Sequence, residues 1–135
     1  MNNKAPKAIQ VKDFMSPTDI IFRPDMEILQ AINALIKHRI SGAPVEDLHG
    51  NLVGILTEKD CMRVAVNASY HRDWGGLVEQ YMTREVKTID VEASIVDAAE
   101  IFLNAPYRRM PVLERHRIVG QVSRHDVLAA MEKIR

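Results

Sequence analysis

Two short motifs in the chain place a hydroxyl and a carboxylate one helical turn apart. Thr57 precedes Asp60 by three residues, and Ser123 precedes Asp126 by the same interval. In both motifs the hydroxyl residue follows an apolar run typical of a buried strand and opens a predicted helix. A carboxylate there can accept hydrogen bonds from a ribose diol, and the start of a helix suits an anion. The motifs therefore indicate a binding site for a ligand that carries a sugar or a phosphate.

The same motifs also have a purely structural interpretation. A Ser or Thr directly before a helix, followed three positions later by an acidic residue, forms a capping box that binds free backbone N–H groups of the first turn. Capping boxes favour Glu or Gln over Asp at the acidic position. The two roles are compatible, so the spacing leaves both the capping and the ligand interpretation open.

The motifs are parts of an internal repeat that covers nearly the whole chain. Val11 and Met15 return 67 residues later as Val78 and Met82. A Pro-Val pair and the motif Gly-x-x-Thr/Ser-x-x-Asp also occur twice, the motif with an offset of 66. Such a repeat predicts two copies of one supersecondary unit packed together, with equivalent clefts related by pseudo-symmetry.

Hydrophobic periodicity and turn signals predict the elements that position these residues. Each copy is expected to fold as strand, helix, strand, strand and helix, which makes the chain an α/β protein. In copy one the predicted segments are an extended segment 19–22, a helix carrying the apolar residues of 28–36, strands 43–46 and 52–56, and a helix 58–66. In copy two they are 86–89, a helix carrying the apolar residues of 95–103, strands 109–113 and 117–122, and a helix 124–134. A polar linker is predicted over 67–76.

Composition narrows the class of protein. Of the 135 residues, 47% are apolar and 27% charged, and the formal net charge is zero, as in an ordinary globular domain. No apolar run approaches the roughly 20 residues of a membrane span, and the start lacks a signal peptide, so a cytoplasmic protein is expected. Cys61 is the single cysteine and the five His residues are scattered. We therefore predict no metal site, no catalytic residues and no cofactor.

In its order of motifs the chain resembles a tandem pair of CBS (cystathionine β-synthase) domains, a Bateman module. The resemblance covers about residues 9 to 134 and rests on a doubled set of features: Met15 and Met82, the apolar helix, Ala43-Pro44-Val45 and Met110-Pro111-Val112, and Gly-x-x-Thr/Ser-x-x-Asp. It implies two β-α-β-β-α motifs packed sheet to sheet. The expected organisation is a flexible tail at 1–8, the first motif at 9–70, and the linker with the second motif at 71–135.

The resemblance also implies a function. CBS pairs often bind an adenosine-containing regulatory ligand, such as AMP, ADP, ATP or S-adenosylmethionine, and they regulate partners without being enzymes themselves. A homodimer and an effector protein regulated in trans are therefore expected. Carried over by position, the first cleft would use Thr57, Asp60, Ala43, Pro44 and Val45. The second would use Tyr107, Arg108, Arg109, Met110, Pro111, Ser123, Asp126 and Thr88, the last at a place where copy one has Ile21.

The two copies differ most where the second carries two adjacent arginines. Arg108-Arg109 aligns with Ser41-Gly42, so guanidinium groups suited to phosphate precede only the second Pro-Val pair. A solvated basic pair at a strand end is an equally open interpretation. Two rival functions also stay open: a ligand-free scaffold for dimerisation or protein interaction, and a nucleic-acid binder, which the balanced charge and few aromatic residues disfavour.

Overall fold

The computed structural model describes residues 9–134 and confirms the predicted α/β class. A single 3-10 turn at Val11–Asp13 precedes the regular elements. These are α1 (Ile28–His38), β1 (Gly42–Glu46), β2 (Leu52–Thr57), α2 (Glu58–His71), α3 (Val78–Tyr81), β3 (Ile89–Asp90), α4 (Ile95–Asn104), β4 (Arg109–Glu114), β5 (Arg117–Ser123) and α5 (Arg124–Ile134). The predicted tail at 1–8 lies outside the described residues.

The chain divides into two compact units whose boundaries fall inside the sequence repeats. The central unit is Asp19–Val86, and the terminal unit combines the segment that ends at Thr18 with the chain from Lys87 onward. Each unit therefore contains the hairpin and following helix of one repeat together with the Val-x-x-x-Met segment of the other. This arrangement decides which side chains meet at each hydroxyl-carboxylate motif.

In the central unit, β1 and β2 form an antiparallel hairpin whose register pairs Gly42 with Thr57 and Val45 with Gly54. The helices α1 and α2 contact one another in this unit. Their apolar faces and the hairpin form a core in which α1 contributes Ile28, Ala31 and Leu35 at the i, i+3, i+7 spacing of one helix face. The other buried members of this core are Phe22, Ala43, Val45, Leu56, Val64, Val78 and Met82.

In the terminal unit, β4 is the middle strand of a three-stranded sheet, parallel to β3 and antiparallel to β5. The helices α4 and α5 contact one another, as α1 and α2 do. The buried core contains Val11, Ile89, Val91, Ile95, Ala98, Phe102, Met110, Val112, Val122, Val127 and Ala130.

Three predicted boundaries were wrong. The extended segment 19–22 is reduced to one parallel bridge between Phe22 and Val45, because the chain turns away at Arg23-Pro24. The extended segment of copy two is β3 at Ile89–Asp90 instead of 86–89. Helix α2 continues to His71, so the predicted linker begins inside a helix. Its extra turn is stabilised because Ala68 is buried one turn after Val64.

The Val-x-x-x-Met segments form short helical turns that the sequence did not reveal as elements. Val11 and Val78 are both fully buried at the first position of their turns. The Val11 N–H donates to the Ala93 carbonyl at 2.8 Å, and the Val78 N–H donates to the Met26 carbonyl at 2.9 Å. Each buried valine thus anchors the segment that precedes a Met-Ser or Met-Thr pair.

The hairpin between β4 and β5 carries backbone strain at its tip. Arg115 and His116 have φ angles of 51° and 69°, in the left-handed region that favours Gly or Asn. The corresponding hairpin between β1 and β2 places Gly50 at a φ of 80°.

We predict that the double substitution Arg115→Asn and His116→Gly stabilises the protein. Relief of left-handed strain, less the entropy cost of a new glycine, should raise the free energy of unfolding by about 0.5–1 kcal/mol. Urea denaturation measures the change. Gly50→Ala in the other hairpin is the reciprocal control and should destabilise; equal stability of all three proteins would contradict the strain assigned to the tip.

Candidate functional site

Both hydroxyl-carboxylate motifs form complete capping boxes. The Thr57 N–H donates to Asp60 Oδ2 at 3.0 Å, and the Asp60 N–H donates to Thr57 Oγ1 at 3.1 Å. The Ser123 N–H donates to Asp126 Oδ2 at 2.9 Å, and the Asp126 N–H donates to Ser123 Oγ at 3.0 Å. The capping interpretation is therefore confirmed, and it leaves open what the remaining carboxylate lone pairs contact.

The glycine at the start of each motif is required because a side chain there would collide with a neighbouring segment. A Cβ added to Gly54 would lie 2.8 Å from Met82 Sδ and 2.9 Å from the Thr83 carbonyl oxygen. A Cβ added to Gly120 would lie 2.7 Å from the Ser16 carbonyl oxygen and 2.9 Å from Met15 Sδ. Each glycine thus lets a Met-Ser or Met-Thr segment cross directly over the strand.

Backbone hydrogen bonds hold these crossing segments in place. Thr83 exchanges two bonds with Ile55, both 2.8 Å, and Ser16 exchanges bonds of 2.8 and 2.9 Å with Gln121. The crossing brings the hydroxyl of Thr83 to the Asp60 motif and that of Ser16 to the Asp126 motif. Sequence analysis missed both hydroxyl residues, although each follows a methionine of the repeat.

At Asp60 every carboxylate oxygen is already in use. Thr83 Oγ1 donates to Oδ1 and Oδ2 at 3.0 and 3.2 Å, and Arg63 Nη2 donates to Oδ1 at 2.7 Å. With the Thr57 N–H on Oδ2, three donors share the two oxygens, and the residue is 2% exposed. The carboxylate of Asp60 is part of a closed, charge-assisted network.

At Asp126 the carboxylate is much less occupied. Ser16 Oγ lies 3.4 Å from both oxygens, which is long for an O–H···O bond. The residue is half-buried, and Ala129 stands where the other motif has Arg63. Asp126 Oδ1 therefore keeps acceptor capacity that Asp60 lacks. Its side chain lines a groove of about 480 Å³ with Ile9, Asp13, Phe14, His125, Ala129, Ala130 and Lys133.

Arginine residues cluster beside the Asp126 motif. The Arg124 N–H donates to the Arg108 carbonyl at 3.0 Å, which places the backbones of these two exposed residues side by side directly after Ser123. Arg109 Nη1 donates to Gln121 Oε1 at 3.3 Å. In the central unit the matching bond runs from the Glu58 N–H to the Ser41 carbonyl, 2.9 Å. The first residue of the helix is therefore the anionic Glu58 in the central unit and the cationic Arg124 in the terminal unit.

Two buried polar atoms of the terminal unit lack a hydrogen-bond partner among residues 9–134. They are Thr18 Oγ1 and Arg109 Nε. Buried polar atoms are nearly always paired with protein or water, so each marks a place where a bound group could be accommodated.

The other predicted site residues are not all gathered around Asp126. Ala43, Pro44 and Val45 in β1, and Met110 and Pro111 in β4, are buried strand residues. Tyr107 lines a second groove, of about 620 Å³, with Lys87, Asp97, Glu100, Ile101, Asn104 and Ala105. Thr88 is half-buried directly before β3. Tyr107 and Asp126 thus line different grooves of the terminal unit.

Cys61 follows the closed carboxylate on α2. Burial, with the charges of Asp60 and Glu58, raises the pKa of the Cys61 thiol to about 11. The thiol is protonated at neutral pH and is a poor nucleophile there.

Over residues 9–134, no group of three or more His, Cys, Asp or Glu side chains is arranged to hold a metal ion. Within the same range, no helix is both long and apolar enough to span a membrane.

The two carboxylates should contribute unequally to stability. Asp126→Ala removes a helix cap and should lower the free energy of unfolding by about 1 kcal/mol. Asp60→Ala also leaves Thr83 without its acceptor and should cost about 2–4 kcal/mol, with little from the ion pair because Arg63 is 60% exposed. Chemical denaturation measures both, and Asp97→Ala, in a third capping box with Ser94, is the matched cap control. Equal losses for Asp60 and Asp126 would contradict the described difference.

Comparison with known proteins agrees with this architecture. The CBS domain family model matches residues 11–67 and 78–133. A protein of Acidianus ambivalens, described as an uncharacterized 17.7 kDa protein, is 30% identical over 92% of this chain and 74% of its own length. The chain spans between 15% and 41% of the next three curated relatives, including an A-adding tRNA nucleotidyltransferase of Aquifex aeolicus.

Solved structures with the same fold include ligand complexes. The structure of CBSX2 in complex with AMP has a TM-score of 0.81 and 25% identity, and covers 93% of this chain and 98% of that one. The CBS domain pair of protein MJ0100, in complex with 5′-methylthioadenosine and S-adenosyl-L-methionine, has a TM-score of 0.76 and 28% identity, with 96% and 100% coverage. Together with the doubled family match and the doubled capping motif, these likenesses show that the chain belongs to the CBS domain family as a tandem pair.

Proposed function

We propose that this CBS pair is a regulatory module that binds an adenosine phosphate in its terminal unit. Asp126 would accept hydrogen bonds from the ribose hydroxyls, and Arg108, Arg109 and Arg124 would contact the phosphate. The observation that carries the proposal is the free acceptor capacity of Asp126 Oδ1 in the first turn of α5, the helix that begins at Arg124 with the Arg108 backbone beside it. CBS relatives bound to AMP and to S-adenosyl-L-methionine support the ligand class.

The ribose interaction follows from the capping geometry. Oδ2 of Asp126 is fixed by the Ser123 N–H at 2.9 Å, so the carboxylate is oriented before any ligand arrives. Oδ1 then presents an acceptor at the start of α5. A ribose hydroxyl would replace the weak 3.4 Å contact from Ser16 with a shorter hydrogen bond. Because the cap holds the side chain in place, little conformational entropy is lost on binding.

The phosphate interaction follows from local charge. The chain is neutral as a whole, but Arg108, Arg109 and Arg124 lie at the junction of β4, β5 and α5. Three cations near a helix N-terminus repel one another and oppose the helix dipole, so an anion there offsets an unfavourable field. Guanidinium groups also match phosphate oxygens in bidentate geometry. This charge set favours a phosphate over the cationic sulfonium of S-adenosylmethionine.

The remaining predicted contacts keep a secondary place in the proposal. Met110 and Pro111 are buried in β4, so a ligand would meet the backbone of this strand more readily than their side chains. Tyr107 and Thr88 stay predicted contacts of the same unit, as do Thr57, Asp60, Ala43, Pro44 and Val45 of the central unit. We further propose that ligand binding shifts the population of module conformations and that an effector protein in the cytoplasm responds to the shift.

A ligand-free scaffold is the alternative function, and one observation favours it. Both motifs are complete as helix caps, so neither needs a ligand to satisfy its backbone. The scaffold would bind partners through its helix faces alone.

The exposed helix faces support a homodimer. On α4 and α5 these apolar side chains are exposed: Val96, Leu103, Leu128, Met131 and Ile134. On α1 and α2 they are Leu29, Ile36, Met62, Val66 and Tyr70. Contiguous exposed apolar patches of this kind mark interaction surfaces. A second copy carries the same faces, so an isologous contact between copies would bury them.

We predict that an adenosine phosphate stabilises the protein through Asp126. Thermal unfolding with AMP, ADP or ATP at about 100 times the dissociation constant should show a gain of about 2.7 kcal/mol. Asp126→Asn keeps the cap but weakens the ribose contact, so the shift should shrink; Arg108→Ala with Arg124→Ala should lose the preference for phosphates over adenosine. Asp97→Asn, in the separate capping box, should respond as the wild type does. If neither adenosine, the nucleotides nor S-adenosylmethionine shifts the wild type, the scaffold function is the better account.

We also predict a dimer held by the helix faces. Light scattering should give twice the 15.3 kDa mass of one chain for the wild type. Leu103→Asp with Met131→Asp should convert it to a monomer, because a charge in a buried apolar contact is strongly unfavourable. Leu48→Asp is the control: Leu48 is 86% exposed but lies in the β1–β2 turn, away from the helices. A dimer that survives the double substitution would place the interface elsewhere.

A further inference from the structure

We infer that Arg63 and Thr83 close the Asp60 motif to ligands, so that each chain binds one adenosine ligand at Asp126 and none at Asp60. The inference rests on the proposed function and extends it to stoichiometry. A doubled sequence motif alone would imply two equivalent sites. The difference arises from residues outside the motif, and Arg63 acts as a specificity-determining residue by engaging the carboxylate that a ribose would otherwise contact.

Hydrogen-bond capacity at the carboxylate provides the first argument. Asp60 Oδ1 accepts from Arg63 at 2.7 Å and from Thr83 at 3.0 Å, and Oδ2 accepts from the Thr57 N–H at 3.0 Å and from Thr83 at 3.2 Å. The single Thr83 proton is shared between the two oxygens, so three donors occupy about four lone-pair sites. Because Asp60 is 2% exposed, a ribose hydroxyl can reach the remaining site only by displacing a side chain that covers it. Within residues 9–134, the carboxylate of Asp126 accepts one short hydrogen bond, from the Ser123 N–H at 2.9 Å.

Burial and charge provide the second argument. Asp60 is 2% exposed, although its partner Arg63 is 60% exposed, so the arginine side chain reaches from solvent to a covered carboxylate. A ribose hydroxyl would therefore have to move Arg63 and Thr83 aside and give up their hydrogen bonds to the covered carboxylate before it could bind there. Glu58 begins α2 where Arg124 begins α5, so a phosphate near the Asp60 motif would also meet a negative charge.

The internal repeat identifies the residues that make the Asp60 motif closed to a ligand and the Asp126 motif open to one. With the offset of 66, Arg63 corresponds to Ala129 and Glu58 to Arg124. With the offset of 67, Thr83 corresponds to Ser16, whose hydroxyl lies at 3.4 Å from both oxygens of its carboxylate. Exchanging the residues at these positions should therefore exchange the properties of the two motifs.

Isothermal titration with AMP tests the inference by counting sites. The wild type should bind one AMP per chain. The triple variant Arg63→Ala, Thr83→Ser and Glu58→Arg, in which the central unit carries the residues of the terminal unit, should bind two. Adding Asp126→Asn to the triple variant should weaken one of the two sites at least tenfold, which assigns the new one to Asp60. Two single variants serve as controls, Glu58→Arg and Arg63→Lys. Each keeps a cation at position 63 beside Asp60, and each should still bind one AMP per chain.

The converse variant closes the open motif. Ala129→Arg places a guanidinium one turn after Asp126 and should reduce AMP affinity at least tenfold while the thermal transition stays cooperative. The affinity of Ala129→Arg for AMP tests whether a guanidinium at this position closes the motif, even where the triple variant fails to fold.

Each outcome of the titration has a distinct meaning. Two AMP per wild-type chain would overturn the closure of Asp60 while the proposed function stands. One AMP per chain in the triple variant, or unchanged affinity in Ala129→Arg, would also overturn it. A wild type that binds none of adenosine, AMP, ADP and ATP would overturn the proposed function, and with it the inference.

Discussion

The close crossing of one repeat's Met-Ser or Met-Thr segment over the other repeat's glycine is the constraint on which both motifs depend. At Gly120 the Ser16 carbonyl oxygen lies 2.7 Å from where a Cβ would stand, so no larger residue fits without displacement. The paired backbone bonds between Ser16 and Gln121 fix the same crossing. Without the crossing, the hydroxyl of Ser16 or Thr83 would have no defined position beside the capping carboxylate. Each compact unit would also lose its contact with the Val-x-x-x-Met segment of the other repeat.

The crossing makes the two motifs alike in backbone and unlike in chemistry. Both carboxylates cap a helix, but Asp60 also accepts from Arg63 and Thr83, whereas Asp126 has only the distant hydroxyl of Ser16 beside its cap. The donors on Asp60 hold its carboxylate within the fold, whereas Asp126 keeps more of its hydrogen-bond acceptor capacity free. The two carboxylates thus differ through Arg63, one helical turn after Asp60, and through Thr83, whose hydroxyl lies closer than that of Ser16.

Charge follows the same division. The chain is neutral overall and both motifs end in a carboxylate, yet the residues that open α2 and α5 are Glu58 and Arg124. A backbone hydrogen bond of 3.0 Å joins Arg124 to Arg108, so two cationic residues lie side by side at the start of α5. Because both are exposed, salt should screen their attraction for phosphate, whereas the ribose contact at Asp126 should depend less on ionic strength.

The sequence by itself determined the repeat, the α/β class, the capping motifs and the family, because these follow from periodicity and spacing along the chain. It did not reveal that Thr83 would meet Asp60 or that Ser16 would meet Asp126, since those pairs lie 23 and 110 residues apart and depend on how the chain crosses itself. The helix α2 that the sequence predicts ends too early, at residue 66, because the burial of Ala68 that extends the helix is a tertiary contact. The sequence favoured the second copy because of Arg108-Arg109, but only packing decided that Arg63 and Thr83 contact the carboxylate of Asp60.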